Sequence, residues 1–250
     1  MTRVRLDVAL VARGLAASRA RARDAVRRGC VRVDGRLAEK PGQLVADATP
    51  VTIDDPAAAW VSRAALKLVA GLDRFALDPA GRTVLDLGAS TGGFTQVLLQ
   101  RGAGHVIAVD VGHGQMAEAL VGDPRLSLME GLNARDLARD HLAGRRVEAI
   151  VCDVSFISLR LALPAALSLA EPGAWGLFLV KPQFEVGRQH VGSGGLVRDL
   201  KRAQQCVADI AAWLAAGQGW SVLGHMAAPM TGSDGNQEYL LAARKGRQNG

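Results

Sequence analysis

The chain has 250 residues, 49% apolar and 22% charged, enough to bury a core as one large domain or as a medium domain beside a small one. Its 30 Lys and Arg against 24 Asp and Glu leave a formal charge of +6, a modest basic excess that points toward a polyanionic partner. One Tyr and five Phe are too few for a surface that grips nucleic acid by many stacked bases. No segment approaches the roughly 18–20 apolar residues of a membrane span; the longest candidate, around 161–180, is broken by Pro164, Ser168, Glu171 and Pro172. Cys30, Cys152 and Cys206 are widely spaced and form no CxxC, which argues against a zinc site. Their odd number, with no signal peptide, gives the expectation of a reducing cytoplasm.

The basic excess is concentrated at the start, where residues 1–40 hold ten Arg and one Lys against four acids. Residues 3–15 predict a short amphipathic helix that stops near Gly14. A second helix follows, with Ser18 as N-cap and Gly29 as its stop. In it Arg19, Arg23 and Arg27 share one face, while Ala22, Ala25 and Val26 face a core. Alternation from Cys30 to Asp54, with turns at Asp34-Gly35 and Pro41-Gly42, predicts a small sheet. These elements make a small α+β module over residues 1–54. "DDPAAAW" reads as a linker, placed at 55–61, before a second domain over 62–250.

The pattern then changes. "WVSRAALKLVAGLDRF" reads as a helix. Apolar strands at 83–88, 105–110, 126–131, 147–154, 175–181, 221–227 and 238–244 alternate with helical segments. Continuous apolar strands between helices predict an α/β fold with a parallel sheet covered on both faces. Ligands of such sheets bind beyond the carboxyl ends of the strands.

The first of these strands runs into "VLDLGASTGGFT". Gly88, Gly92 and Gly93 are read as letting the backbone pass close to a ligand. The next strand ends in Asp110, about twenty residues on, where an acid suits a ribose diol. The spacing is D-x-G-x-S-x-G-G, not the G-x-G-x-x-G of dinucleotide folds. It resembles motif I of S-adenosylmethionine (SAM)-dependent methyltransferases, which puts Asp86, Gly88, Ser90, Gly92, Gly93 and Phe94 beside the cofactor with Asp110. A dinucleotide site and a tight turn without a ligand are the competing readings; the acid at the second strand end favours SAM. Residues 130–134, Asn133 among them, fall where an adenine edge is usually held.

Three more polar residues stand at strand ends. Asp153 follows the apolar run "AIVC", Lys181 follows "GLFLV", and Glu238 begins the last strand. If that strand runs antiparallel, Glu238 shares a rim with the other two, and Lys67 joins them from the helix before the first strand. Singly, each has a bland reading as a surface lysine, a helix cap or a charged strand end. Together they resemble the K-D-K-E set of FtsJ/RrmJ-type ribose 2′-O-methyltransferases. An S4-like module ahead of "VSRAALKL", "LDLGASTGGFT", "DVSFISL", "KPQFE" and "GNQEYLL" resembles, more narrowly, the TlyA family.

This resemblance spans nearly the whole chain. It implies a Rossmann-like SAM-dependent methyltransferase domain behind an S4 RNA-binding domain, with SAM as cofactor, no metal, and ribosomal RNA or ribosomal subunits as partner. The implied target is a ribose 2′-hydroxyl, that of a cytidine. Lys181 would contact the hydroxyl and either stabilise developing alkoxide charge or, if neutral, take the proton. Asp153 and Glu238 would orient and neutralise Lys181, with Asp153 also beside the cofactor. Lys67 would hold a neighbouring phosphate or complete the charge network. Arg3, Arg5, Arg19, Arg23, Arg27, Arg28 and Arg63 would meet RNA, with Arg198 doing so from the glycine-rich loop 190–200. The sequence departs from the family at Trp60, Ala64 and Gln96, where Tyr, Gly and Asp are often found. Competing functions are a non-catalytic ribosome assembly factor, another S4-bearing RNA enzyme such as a pseudouridine synthase, and a membrane-active haemolysin.

Overall fold

The computed structural model describes residues 3–246, and the chain divides between Ala59 and Trp60 into two units. The first contains β1 (Arg3–Arg5), α1 (Leu6–Ala12), α2 (Arg19–Arg27), β2 (Val31–Val33), β3 (Arg36–Leu37), β4 (Leu44–Ala46) and β5 (Val51–Ile53). β1 pairs antiparallel with β4, and β3, β2 and β5 form a second small sheet in that order. Residues 3–5 were expected to open the first helix. They form a strand instead, because β-branched Val4 pairs with Val45 and the helix starts only at Leu6. Ser18 caps α2 by accepting the Arg21 N–H at 3.3 Å, a contribution of about 1 kcal/mol. The β2–β3 turn holds Asp34 and Gly35 at φ of 50° and 76°, the two left-handed residues that a tight hairpin requires. Leu6, Leu10, Ala22, Ala25, Val26, Val31 and Val45 close the core.

Several arginines of this unit are committed to its own acids. Asp7 is fully buried and accepts Arg5 at 3.0 and 3.1 Å and Arg19 at 3.2 Å. Arg28 is held between Asp24 at 2.8 Å and Asp55 at 2.7 Å. Arg13 donates to the carbonyls of Ala46, Asp47 and Thr49, closing the turn after β4. The guanidinium groups of Arg5, Arg19 and Arg28, expected at RNA, also neutralise buried or half-buried carboxylates of the fold, and Arg5 and Arg19 keep half or more of their side-chain surface exposed. Arg3, Arg23 and Arg27 are exposed. Asp55 takes Arg28, and the buried Ala57 accepts Arg21 through its carbonyl at 2.6 Å, so the start of the expected 55–61 linker belongs to the first unit.

The second unit contains α3 (Ala65–Phe75), β6 (Thr83–Leu87), α4 (Gly93–Gln100), β7 (His105–Asp110), β8 (Leu126–Glu130), β9 (Val147–Cys152), α5 (Leu159–Ala162), α6 (Pro164–Leu169), β10 (Ala170–Val180), α7 (Pro182–Glu185), α8 (Leu200–Gly217), β11 (Trp220–Ala227) and β12 (Tyr239–Lys245). One seven-stranded sheet runs in the order β11-β12-β10-β9-β6-β7-β8. β12 is antiparallel to both neighbours, and the remaining pairs are parallel. Alternate residues of each strand face opposite sides. Leu85, Leu87, Ile107, Ile150 and Phe178 pack with residues of α5, α6 and α8. Val84, Val106, Val151, Leu177 and Leu179 pack with residues of α3 and α4.

The helix expected from residue 60 begins only at Ala65. Residues 60–64 form turns, in which Ala64 N–H donates to Ser62 Oγ and Val61 N–H donates to Gln96 Oε1 at 2.7 Å. α3 lies close to the sheet at Gly71, where a Cβ would stand 2.6 Å from Leu177 Cδ2.

The Arg5 guanidinium beside it holds the Asp7 carboxyl below the usual carboxylate range, at about 2. A depressed folded value stabilises the fold above the ordinary 3.8 and loses that contribution as pH falls toward 2. Amide hydrogen exchange in α1 and β4 should therefore accelerate as pH falls below 4, beyond the intrinsic pH effect. Asp7→Asn should show faster exchange at pH 7 and a flatter dependence on acid.

Candidate active site

The crevice follows from strand order. β6 is flanked by β7 on one side and β9 on the other, so the chain's progression reverses at β6 and leaves space beyond the carboxyl ends. The register pairs Leu87 with Cys152, which brings Gly88 and Asp153 side by side just past the strands. It also pairs Val180 with Tyr239, which brings Lys181 beside Glu238.

Two adjoining clefts open there. A smaller one of about 160 Å³ is lined by Ser62, Gly88, Gly93, Phe94, Asp153 and Lys181, among others. A larger one of about 620 Å³ is lined by Asp110, Asn133, Ala134, Val154 and Phe156, among others. Both include Gly88, Ser90, Asp153 and Ser155 in their walls.

Gly88 has φ of +79°, and a Cβ there would stand 2.8 Å from the Asp153 carbonyl oxygen, so backbone shape and proximity both demand glycine. Asp110 ends β7 with both oxygens engaged: Oδ2 accepts Ser90 N–H at 2.8 Å and Oδ1 accepts Gly112 N–H at 2.7 Å. Each oxygen keeps a further lone pair. Asn133 lines the larger cleft, and its Oδ1 accepts the Arg135 N–H at 3.1 Å. Glu130, one strand over, accepts N–H groups of Gly114 and Gln115, and the Gly114 bond leads in holding its carboxyl below the usual range.

Two expected cofactor contacts lie elsewhere. Asp86 is fully buried beneath the loop and lines neither cleft. Its Oδ2 accepts the Thr95 hydroxyl at 2.6 Å and its Oδ1 is unpartnered. Burial pushes its carboxyl up to about 7. Asp86 therefore anchors the first turn of α4. Gly92 is also buried, and a Cβ there would stand 2.4 Å from Met116 Sδ, so this glycine is required by packing.

The four catalytic candidates come together as two ion pairs. Lys181 Nζ lies 2.7 Å from Asp153 Oδ1 and donates to Ser155 Oγ at 2.7 Å. The Asp153 contact is one of charge and distance, since Oδ1 receives no properly angled hydrogen bond. This pair lines the smaller cleft. Lys67 Nζ pairs with Glu238 Oε2, with both side chains buried and neither on a cleft wall. The pair matches the charge-network role, one of the two expected of Lys67, and the contacts of Lys181 are with Asp153 and Ser155.

Sequence reasoning passed over Ser155, Phe156, Glu185 and Asn236. Phe156 is 91% exposed with φ of +67°, a left-handed conformation that costs a bulky residue about 1–2 kcal/mol. Its ring lies 5.3 Å from that of Phe184. Buried Asn236 accepts Val197 N–H at 2.9 Å and donates to Gly195 O at 2.8 Å, fastening the glycine-rich loop. Arg198 is exposed on that same loop, and Arg63 is half-buried. A polar "SDGN" run preceding a strand was the available signal for Asn236; none existed for the Phe156 backbone.

The profile of the FtsJ-like methyltransferases matches residues 60–245, and that of the S4 domain matches residues 4–48. Fold and site thus define a methyltransferase with an S4 domain ahead of it. The chain is 49% identical over 243 residues to the 16S/23S rRNA (cytidine-2'-O)-methyltransferase TlyA of Mycobacterium tuberculosis (strain CDC 1551 / Oshkosh), covering 97% of this chain and 90% of that one. It is 33% identical over 244 residues to Hemolysin A of Brachyspira hyodysenteriae, covering 95% and 98%. The chain belongs to the TlyA family. A solved structure from Streptococcus thermophilus, of a protein named as a hemolysin, superposes with a TM-score of 0.77 at 37% identity, covering 98% of this chain and 90% of that one. Among the described residues, no helix is long and apolar enough to cross a membrane.

Removing one partner of a buried ion pair strands the other charge, at about 3–5 kcal/mol. Lys67→Ala or Glu238→Ala should therefore lower the urea midpoint markedly. Lys181→Ala strands Asp153, whose side chain keeps 16% exposure at a cleft wall, and should lower it less. Equal midpoints for all three variants would contradict the division into a structural and a working pair.

Proposed function

We propose that this chain transfers a methyl group from SAM to a ribose 2′-hydroxyl of ribosomal RNA, a cytidine in the RNA or in a ribosomal subunit, in the cytoplasm. The observation that carries the reading is the Lys181–Asp153 pair on the wall of a cleft at the strand-order reversal. The naming of the Mycobacterium tuberculosis relative supports the substrate.

The residues present fit that cofactor. The larger cleft falls within the ~300–1,000 Å³ of small-molecule sites. Asp110 offers remaining lone pairs to a ribose diol, Asn133 stands on the same cleft wall for an adenine edge, and Gly88, bare of side chain, permits close approach. Bound, SAM supplies a methyl group already activated by its sulfonium.

The chain must supply alignment and a place for charge. Lys181, fixed by Asp153 and Ser155, presents Nζ to the ribose oxygen and stabilises the negative charge that grows there as the hydroxyl proton passes to solvent at the open cleft. Lys67 and Glu238 hold α3 against the start of β12, beside the Lys181 end of β10. Phe156, exposed at the larger cleft, is the ring available to a base next to the target ribose. In the first unit Arg3, Arg23 and Arg27 are among the arginines exposed to phosphates, as are Arg5 and Arg19.

Lys181→Ala should bind SAM normally by calorimetry while methyl transfer to ribosomal subunits falls about 10²–10³-fold, the loss of one preorganised donor. Near-normal turnover would overturn the assignment. Mapping 2′-O-methylated riboses with and without the protein would identify the nucleotide. Replacing Arg3, Arg23 and Arg27 together with Ala should lower the slope of log K against log salt by about two, at roughly 0.7–0.9 per phosphate contact.

A further inference from the structure

The loop that carries Phe156 is held from the neighbouring strand end. α7 follows Lys181 directly, and its last residue, Glu185, reaches back across the rim. Glu185 Oε2 accepts the Ser158 hydroxyl at 2.6 Å, and Oε1 accepts the Leu159 backbone N–H at 2.8 Å. Ser158 is the N-cap of α5 and Leu159 its first residue. The carboxylate therefore pins the point where residues 153–158 re-enter regular structure.

The other end is pinned by Asp153 N–H to Leu87 O at 2.9 Å. Between the pins, Phe156 adopts a left-handed φ with its ring outward. Phe184, next to Glu185, braces that ring at a centroid distance of 5.3 Å. Burial pushes the Glu185 carboxyl up from its ordinary value, against the pull of its two hydrogen bonds. A carboxylate drawn from water and spent wholly on a loop end indicates that the loop's shape matters. Glu185 lines neither cleft, so it has no direct part in the chemistry.

We propose that Glu185 is a positioning residue that holds Phe156 out as the platform for a nucleobase beside the target ribose, and so governs engagement of RNA rather than of cofactor. This rests on the methyl-transfer reading above.

The test is a double-mutant cycle on the full chain. Glu185→Ala, Glu185→Gln, Phe156→Ala and the Glu185→Ala/Phe156→Ala double variant are compared for SAM affinity, KM for ribosomal subunits, kcat and melting temperature. Glu185→Ala should raise the subunit KM about five- to tenfold, the worth of one or two hydrogen bonds, and leave SAM affinity within about twofold. Glu185→Gln should stay near the parent, because its carboxamide oxygen can take the Leu159 N–H and its NH₂ can donate to Ser158 Oγ. The double variant should be no worse than Phe156→Ala alone.

An unchanged KM for folded Glu185→Ala, or effects that add in full, would overturn the proposal. If Glu185→Ala does not fold, Ser158→Ala takes its place in the cycle with the same criterion. A Phe156→Ala variant of unchanged KM defeats the platform while leaving the methyl-transfer reading intact. Absence of transfer by the parent chain defeats that reading itself; Glu185 is then judged by the coupling in direct RNA-binding affinity.

Discussion

In a parallel sheet only carboxyl ends meet at the ligand rim, so a residue that precedes a strand ordinarily sits at the far end. β12 reverses this by inserting antiparallel between β10 and β11. Glu238, the residue before it, thereby comes to the rim that Asp153 and Lys181 reach from the ends of β9 and β10. The acid then draws Lys67 inward from α3. The glycine loop after β6 lies past the paired ends of β6 and β9, and the "GSDGN" segment leading into β12 fastens the glycine-rich loop through Asn236.

The two ion pairs divide the work that a single charge cluster would have to do alone. Two ammoniums and two carboxylates on one rim are neutral in sum, so neither lysine needs a bulk counterion. The inner pair is shut away from water and contributes rigidity and register. The outer pair faces the cleft with Ser155 as its third member. Burying an ion pair has a desolvation cost that a hydrophobic pair would avoid. What the polar pair adds is geometric specificity, because a charge-assisted contact fixes both the helix and the strand that carry it.

Much of this was legible before any coordinates. The seven strands stand out because burial on both faces demands uninterrupted apolar runs, and a rim residue is recognisable as the first polar group after such a run. Asp153, Lys181 and Glu238 all satisfy that rule. The pairing was not legible, since two lysines and two acids admit more than one match, and the choice is made by how closely α3 approaches the sheet. Asp86 misled for a related reason. Its motif position is beside the loop, but the strand's alternation turns it inward onto Thr95. That Arg5, Arg19 and Arg28 would also bind acids of the fold was not legible, because a surface arginine looks the same in sequence whether it meets solvent alone or a carboxylate as well. The left-handed Phe156 left no trace in composition.

Gly71 lies one helical turn beyond Lys67, on the same side of α3, and leaves no room for a methyl group against Leu177 and Leu240. It sets the stand-off between helix and sheet, and so the distance a lysine ammonium must cover. A residue with no functional group thus acts as a mechanical spacer for the charge network. A search for reactive side chains would pass over position 71, although the packing of α3 depends on it.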